Sequence, residues 1–352
     1  MAVGPARVLL LTVGDRDSPG TRLRAFAYVP FLESRGHRVE LRVPLGSQPN
    51  RLRRRRLLRA VELIRDLGAA SRSDLVIVYR KTFPDPTARW LRRVARRVVY
   101  DFDDAVYLPS PAEPQDPTAV ARYRRNFDAT VQAADLVVAG NRELAAAVES
   151  RPSAILPTGV DLSVFTPISR SRRGSGCVLG WIGTTGNLPQ WQRLEAAFRR
   201  VVAAEPEVRF KVISDRRPPE LDLPVDYERF TIDREAACLE DVDVGLMPLE
   251  DTPWNRGKCS YKALQCMALG LPVVVSPVGM NREAVEPGVS GAFAVTEDEW
   301  VDELLRLVRD PERRERMGRA ARAVVERSYS LQRVGVGMAD LVDQLLSRPA
   351  RR

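Results

Sequence analysis

Two lysines lie four residues apart in the segment Gly257–Pro277, which reads GKCSYKALQCMALGLPVVVSP. Only four of the 55 Lys and Arg residues in this 352-residue chain are lysines, so one short segment holds half of them, Lys258 and Lys262. The ammonium group of lysine is a compact charge that is hard to replace beside a phosphate. The pair therefore indicates a phosphate site, although two simply solvated lysines would explain the segment equally well.

A helix must position these lysines. The apolar residues of the segment recur at helical spacing, at Leu264, Met267, Ala268 and Leu271. We predict a helix that begins near Cys259 or Ser260, with Lys258, Lys262 and Gln265 on the face opposite the apolar residues. Cations at a helix N-terminus oppose the macrodipole unless an anion is bound there. Because a glutamine amide can also bond to sugar hydroxyls, the expected ligand is a diphosphate joined to a ribose.

A second candidate is the segment Leu179–Leu194, LGWIGTTGNLPQWQRL, which is typical of a strand, a glycine loop and a helix. Asn187 is predicted to cap the helix and Pro189 to lie in its first turn. The small residues of the loop would let its backbone approach a ligand closely; these are Gly183, Thr184 and Gly186. The loop matches neither GxGxxG nor the P-loop, and tight turn packing would explain it equally well.

A third candidate is a strand that ends in carboxylates, VVYDFDDAVY at Val98–Tyr107. Asp101 and Asp103 form a DxD pattern, and Asp104 follows directly. Such a pattern can hold a divalent metal beside a phosphate, and it resembles the nucleophile strand of haloacid-dehalogenase phosphatases. A capped strand end with solvated carboxylates is an equally good interpretation.

Composition excludes several chemistries. His37 is the only histidine, so a Ser-His-Asp or Cys-His arrangement would have to be built around it. The four cysteines show no CxxC pair and no metal-ligand spacing, which favours buried, reduced thiols.

The longest apolar runs have the length of strands, far short of the ~20 residues of a membrane span. We therefore expect a cytoplasmic protein.

The net charge of +9 and the pI near 9.8 suit nucleic acid, an anionic membrane surface or a phosphate-bearing substrate. The densest basic segment is Arg51–Leu67, RLRRRRLLRAVELIRDL. Its Leu57, Val61 and Ile64 have helical spacing, which favours a solvated helix with one core face. Peripheral contact with the inner membrane surface is the alternative. Nucleic-acid binding would call for interleaved aromatic residues, and this segment has none.

Strand-sized apolar runs alternate with helical patterns along the chain, which predicts parallel α/β sheets. The first five strands are predicted at Val8–Val13, Arg38–Val43, Leu75–Tyr79, Val98–Phe102 and Leu136–Ala139. Pro157–Gly176 is typical of a linker, and a second α/β series follows it. We predict an N-terminal domain of residues 1–168 with a returning helix at 330–352, and a C-terminal domain of residues 169–329. Two such domains would face a central cleft.

Together these segments resemble the family-four glycosyltransferases, which are retaining enzymes with the GT-B fold of two Rossmann-like domains. The resemblance is strongest from DVDVGLMPLEDTPWNRGKCSYKALQCMALGLPVVVSP onward, which is similar to the family's donor-binding block. It implies a nucleoside-diphosphate sugar held by the second domain, with Arg256 and Gly257 beside the lysines, and a hydroxyl acceptor held by the first. It also implies that no metal or other cofactor is required.

The sequence departs from the family at three points. The family's two glutamates would fall at Gly257 and Gln265, and its basic pair has no match in GTTGNLPQW. The family's histidine has no counterpart either, and Asp103 or Asp104 is nearest to its place. These departures affect the expected mechanism more than the expected fold.

We therefore predict glycosyl transfer to a hydroxyl of a polysaccharide, a lipid-linked glycan or a secondary metabolite. Lys258 and Lys262 would bind the diphosphate and stabilise the leaving group, and Gln265 would contact the ribose. Asp103 or Asp104 would orient the acceptor hydroxyl or the sugar, and Gly20 and Arg22 would face the cleft. The alternatives are a Mg²⁺-dependent phosphatase using aspartate, and a non-catalytic protein that binds nucleotides or nucleic acid.

Overall fold

The computed structural model describes residues 4–45, 52–148, 151–167, 176–219 and 222–349, with the backbone alone at 52–57 and 59. The chain divides into two compact units. The first comprises residues 1–159, 257–259 and 331–352, and the second comprises residues 160–256 and 260–330. The predicted boundary between residues 168 and 169 lies outside the described residues and stays a prediction.

The first unit is built on a six-stranded parallel sheet in the order β2-β1-β3-β4-β5-β6. Its strands are β1 Arg7–Leu11, β2 Arg38–Arg42, β3 Leu75–Tyr79, β4 Val98–Phe102, β5 Leu136–Ala139 and β6 Ser153–Ile155. The five predicted strands are confirmed. Every residue of β3 and β4 is buried, as expected for central parallel strands with helices on both faces.

The helices of this unit follow the strands in alternation. They are a π-helix at Thr21–Phe26, then α1 Ala27–Ser34, α2 Leu52–Ala70, α3 Asp85–Val94, α4 Pro117–Ala133 and α5 Arg142–Ala146. Asp116 caps α4 by accepting hydrogen bonds from two backbone amides, and Pro117 occupies its first turn.

The core face of α2 differs from the prediction. Val61 and Ile64 are 47% and 72% exposed, and the helix buries Asp66, Ala69 and Ala70 instead. Asp66 can be buried because Lys81 and Arg65 both donate to its carboxylate. The predicted face at Val61 and Ile64 is therefore wrong, and the side chain of Leu57 lies outside the described residues.

The second unit also has a six-stranded parallel sheet, in the order β12-β11-β10-β7-β8-β9. Its strands are β7 Val178–Ile182, β8 Arg209–Ser214, β9 Val225–Arg229, β10 Val244–Met247, β11 Val273–Val275 and β12 Gly291–Phe293. The helices are α6 Leu188–Gln192, α7 Glu195–Ala204, α8 Pro253–Arg256, α9 Tyr261–Ala268, α10 Asn281–Ala284, α11 Glu297–Arg309 and α12 Pro311–Ser328.

The core of the second unit is aromatic. Phe198 of α7 lies between Trp191 and Phe210, at ring-centre distances of 5.3 Å and 4.4 Å. These rings join α6 and α7 to the strand β8 and so fix the helices that follow the glycine loop.

The last helix, α13 Leu331–Ser347, belongs to the first unit and packs on α1. A Cβ atom on Gly335 would lie 2.2 Å from the ring of Phe31, so glycine permits this close packing. Among the residues that the structure describes, no helix is long and apolar enough to cross a membrane.

Candidate functional site

Each sheet has one point at which the chain direction across the sheet reverses, and open α/β sheets bind ligands beyond the carboxyl ends of the strands there. In the second unit this point lies between β7 and β10. The glycine loop follows β7, and the segment leading into α9 follows β10. The topology thus brings together two of the segments singled out in the sequence.

Lys262 of α9 packs directly against the glycine loop. Its Nζ atom lies 5.2 Å from the ring centre of Trp181, within range of a cation–π contact. A Cβ atom on Gly183 would lie 2.7 Å from this Nζ and 2.5 Å from the Trp181 ring. Only glycine therefore fits at position 183 while Lys262 and Trp181 keep their places.

No side chain caps the N-terminus of α9. Ser260 precedes the helix in the left-handed region, at φ 53°, and makes no side-chain cap. Its hydroxyl donates instead to Oδ1 of Asn281 at 2.6 Å, and Nδ2 of Asn281 donates to the carbonyl of Ser276. The helix macrodipole and Lys262 consequently place positive charge at the same point.

Other predicted donor residues are placed differently from the expectation. Helix α9 begins at Tyr261, so Lys258 precedes the helix and does not lie on the same helix face as Lys262. The backbone carbonyl of Lys258 accepts a hydrogen bond from the side chain of Asn141, and both residues belong to the first unit. Arg256 is paired with Asp251, at 2.6 Å. The left-handed turn at Ser260 explains the late start of the helix.

Gly257 has a steric explanation. A Cβ atom there would lie 2.9 Å from both the backbone nitrogen and the Cβ of Ala105, which belongs to the same unit. At the position of the family's first glutamate, the backbone of this chain therefore packs so closely against Ala105 that no side chain fits.

Gln265 is buried, at 3% exposure, and does not lie on an open face with Lys262. Its Nε2 donates to Oε1 of Glu235 at 2.8 Å, and Glu235 is itself 7% exposed. The buried carboxylate draws the amide inward, and the sequence prediction missed it because Glu235 is thirty residues away.

Asn187 does not cap α6 as predicted. Its side chain donates to the hydroxyl of Thr184 at 2.9 Å, and residues Thr185–Asn187 form a 3-10 turn. The turn is held by Asp215, which accepts from the backbone amide and the hydroxyl of Thr185. The loop Gly183–Asn187 is thus a fixed element of the second unit.

The first unit gathers a charged cluster beyond β3 and β4. Arg24 of the π-helix and Asp101 form an ion pair at 2.6 Å in which both side chains are fully buried. Burial lowers the pKa of Arg24, but the charges of Asp101 and Asp103 outweigh it and raise this pKa well above the ordinary value. Asp101 is therefore an internal anchor for the π-helix.

Asp103 has both carboxylate oxygens engaged. Its Oδ1 accepts from Tyr79 at 2.9 Å and from Arg80 at 2.5 Å, and its Oδ2 accepts from Thr158 at 3.2 Å. Burial alone would raise the pKa of Asp103, but the charges of Arg80 and Arg24 hold it below the ordinary value. Asp103 stays ionised and is a poor proton acceptor.

Asp104 is the more accessible carboxylate of this cluster, at 24% side-chain exposure. Arg80 binds it at 2.8 Å while also binding Asp103. Arg80 does so in the left-handed region, at φ 54°, where a non-glycine residue costs about 1–3 kcal/mol. Such strain is typical of functional sites. No local sequence pattern predicts the left-handed conformation of Arg80.

The predicted Gly20 lies against the same cluster. A Cβ atom there would be 2.8 Å from the hydroxyl of Tyr79 and 3.0 Å from the guanidinium of Arg80. Arg22 is half-buried in the π-helix that follows. Gly20 thus lies beside Tyr79 and Arg80, and Arg80 binds both Asp103 and Asp104. The sequence prediction missed three partners of Asp103, namely Tyr79, Arg80 and Thr158.

Two further features bear on ligands. Within the described ranges, no group of three or more His, Cys, Asp or Glu side chains could hold a metal ion.

A pocket of about 340 Å³ opens beyond β10 and β11, lined by Gln190, Arg193, Pro248, Ser276, Val278 and Trp300, among others. Its Arg193 is paired with Glu250, and it contains none of the predicted donor residues.

Most of the second unit is similar to a known protein family. Residues 176–310 match the sequence model of the family described as glycosyl transferases group 1. The chain is 28% identical over 224 residues to a D-inositol 3-phosphate glycosyltransferase of Kribbella flavida. That match covers 54% of this chain and 52% of the relative, so it spans about half the length of the curated relative.

Solved structures show the same fold. Sucrose-phosphate synthase from Thermosynechococcus elongatus superposes with a TM-score of 0.75 at 15% identity, over 97% of this chain and 99% of that chain. HepE of Anabaena, solved in complex with UDP and glucose, superposes with a TM-score of 0.70 at 16% identity, over 96% of this chain and 100% of that chain. The predicted resemblance and fold are confirmed: residues 176–310 match the group 1 glycosyl transferases, and the chain has the GT-B fold of two Rossmann-like α/β units.

Proposed function

We propose that the protein is a glycosyltransferase that moves a sugar from a nucleoside-diphosphate donor to a hydroxyl acceptor with retained anomeric configuration. The observation that carries the proposal is the packing of Lys262 against Gly183 and Trp181, at the N-terminus of α9. It is supported by the family match of residues 176–310 and by the nucleotide and sugar in the HepE structure.

In this proposal the diphosphate lies at the N-terminus of α9. The ammonium group of Lys262 and the helix macrodipole would neutralise the charge that develops on the departing diphosphate. Preorganised positive charge of this kind lowers the barrier because it needs no rearrangement during the reaction. Lys258 is proposed as a second cation for the same diphosphate. Its contribution is tested with a variant of its own, Lys258→Ala.

The acceptor is proposed to bind at the charged cluster of the first unit. Asp103 has its oxygens occupied, so Asp104 is the better candidate to orient the acceptor hydroxyl. Arg80 fixes the position of Asp104 by binding both carboxylates. The engaged oxygens of Asp101 and Asp103 also disfavour an aspartate-based phosphatase, which needs a carboxylate open to metal and phosphate.

We further propose that the transfer needs no metal ion.

We also propose that α2 contacts an anionic membrane surface. Leu58, Val61 and Ile64 of α2 are 42%, 47% and 72% exposed, and the helix sequence carries a run of arginines at 53–56. Exposed apolar side chains next to basic ones suit the interfacial region of a bilayer.

The test is thermal unfolding with UDP, GDP, dTDP and ADP, with inorganic phosphate as the control ligand. A diphosphate at 100 times its dissociation constant should stabilise the wild type by about 2.7 kcal/mol. Lys262→Ala should lose this stabilisation, and Lys258→Ala should reduce it. If no nucleotide stabilises the wild type, or if phosphate alone does so equally, the proposed donor site is wrong.

A further inference from the structure

Three neighbouring helices of the first unit lie on one face of its sheet. The chain crosses from β2 to β3, from β3 to β4 and from β4 to β5 in the same direction along the sheet, through α2, α3 and α4. Right-handed crossovers place these three helices on the same face, while the reverse step from β1 to β2 places α1 on the other face. The packing agrees, since α3 contacts both α2 and α4, whereas α1 contacts α13.

Almost all of the net positive charge of the protein belongs to these three helices. Their sequences contain twelve arginines, no lysine and four acidic residues, which gives a net charge of +8. The whole chain has a net charge of +9, so the remainder is nearly neutral. A charge concentrated on one side of a domain attracts an anionic surface.

The outer side of α3 carries an exposed tryptophan. Trp90 is 57% exposed, whereas the next residue, Leu91, is 2% exposed and belongs to the core. Arg89 precedes Trp90, and Arg93 follows it by one helical turn; both arginines are exposed. Tryptophan combines an apolar ring with a polar N–H group. An exposed tryptophan beside arginines therefore suits the boundary between lipid headgroups and acyl chains.

The apolar residues on this side of the unit favour a bilayer over other anionic partners. Next to α3, helix α2 exposes three aliphatic side chains, those of Leu58, Val61 and Ile64. Nucleic acid would offer phosphates to the arginines, but aliphatic side chains give its bases no aromatic surface for stacking. An anionic bilayer offers negative headgroups to the arginines and an apolar layer to the tryptophan and the aliphatic residues.

We propose that α2, α3 and α4 form one docking face for an anionic lipid bilayer, and that Trp90 is its aromatic anchor. The inference extends the contact proposed for α2 and rests on that part of the proposed function. The ring of Trp90 enters the interfacial region, and the arginines of the three helices hold the docking face against the headgroups. Nucleotide binding at Lys262 belongs to the second unit and is tested separately.

The first test is quenching of tryptophan fluorescence by vesicles of phosphatidylglycerol and phosphatidylcholine with brominated acyl chains. Bromine quenches only those tryptophans that reach the acyl region. Trp181, Trp191 and Trp300 are at most 2% exposed, so Trp90 should account for the quenching. Trp90→Phe should remove most of the quenching. Trp254→Phe is the matched control, because Trp254 is a half-buried tryptophan of the second unit, and it should leave the quenching unchanged.

The second test is sedimentation with the same vesicles without bromine, with circular dichroism to check that each variant is folded. The wild type should bind vesicles that contain phosphatidylglycerol, should not bind phosphatidylcholine alone, and should bind less as salt is added. Trp90→Ala should weaken binding about tenfold or more, through loss of the buried ring. Arg93→Gln should weaken it about fivefold. Arg316→Gln, at an arginine of α12 that is 59% exposed, is the matched control and should bind as the wild type does.

Three results would overturn the inference. If the wild type binds anionic and neutral vesicles equally, or binds neither, the docking face is wrong, and so is the contact proposed for α2. If Trp90→Phe keeps the full quenching, or Trp90→Ala keeps the full affinity, Trp90 is not the anchor. If an oligonucleotide displaces the wild type from the vesicles and Arg93→Gln weakens oligonucleotide binding, the face is a nucleic-acid surface instead. Nucleotide titrations at Lys262 are independent of all three results, so the donor site stands or fails separately.

Discussion

Replacement of Gly183 by alanine tests the packing on which the donor site depends. The added methyl group would lie 2.5 Å from the ring of Trp181 and 2.7 Å from Nζ of Lys262. Trp181 is only 2% exposed and cannot move away, so the flexible end of Lys262 must shift. The substitution should therefore displace the ammonium group while leaving the chain folded.

The magnitude follows from two costs. Overpacking of this kind costs about 1–3 kcal/mol of stability. Loss of a charge-assisted contact to the diphosphate costs about 1.5–3 kcal/mol of binding, which weakens the dissociation constant roughly 10-fold to 150-fold.

The assay is calorimetric titration with the nucleoside diphosphate that stabilises the wild type, alongside urea unfolding. Gly186→Ala is the matched control, because the nearest atom to its new Cβ would be Oγ1 of Thr184 at 4.0 Å. Lys262→Met removes the charge and keeps the aliphatic stem, and should weaken binding as much as Gly183→Ala with less effect on stability. If Gly183→Ala binds the nucleotide as tightly as Gly186→Ala, the packing argument is refuted.

Three other predictions address the first unit and the metal. Because the pKa of Asp103 is lowered in the folded state, its ionised form stabilises the protein above the unfolded pKa of about 3.9, and this contribution disappears as the pH falls through the folded value. Urea unfolding should therefore show a difference between wild type and Asp103→Asn that is full at pH 7 and shrinks in acid; a difference independent of pH would contradict it. The double variant Val61→Ser/Ile64→Ser should sediment less with anionic vesicles than the wild type and equally little with neutral ones, and unchanged sedimentation with anionic vesicles would exclude α2 as the contact. Nucleotide-sugar turnover should survive EDTA, and a loss that Mg²⁺ or Mn²⁺ restores would show that a metal is required.

Local patterns in the sequence were sufficient for the strands and for the outline of the candidate sites. The predicted strands of the first sheet are present because long apolar runs can be buried only in a sheet covered on both faces. The sequence indicates Lys262 and Gly183 as two separate candidates, and the parallel topology places them together at one switch point.

The sequence predictions are wrong at residues whose orientation is decided by a side-chain partner. Gln265 is buried because of Glu235, and Val61 is exposed because α2 turns Asp66 inward toward Lys81. Asn187 bonds to Thr184 rather than to the helix that follows. The partners of Gln265 and Asp66 are distant in the sequence, so no pattern of neighbouring residues encodes those two contacts.

Left-handed residues were a second source of error. Ser260 and Arg80 both have φ near +54°, and Ser260 lies where the sequence predicts the start of a helix. Ser260 delays the start of α9 and leaves Lys258 outside the helix, while Arg80 turns back to bind Asp103 and Asp104. Such conformations are rare for these residue types, so the sequence alone does not indicate them.

The most direct test of the central claim is proton NMR of the anomeric signals while the protein is incubated with UDP-, GDP-, dTDP- and ADP-linked sugars. We predict that one donor is consumed, that its first product keeps the anomeric configuration of the donor, and that Lys262→Met abolishes the reaction. If every donor remains intact with the wild type in the presence of hydroxyl acceptors, or if Lys262→Met consumes the donor at the wild-type rate, the proposed glycosyl transfer at Lys262 is contradicted.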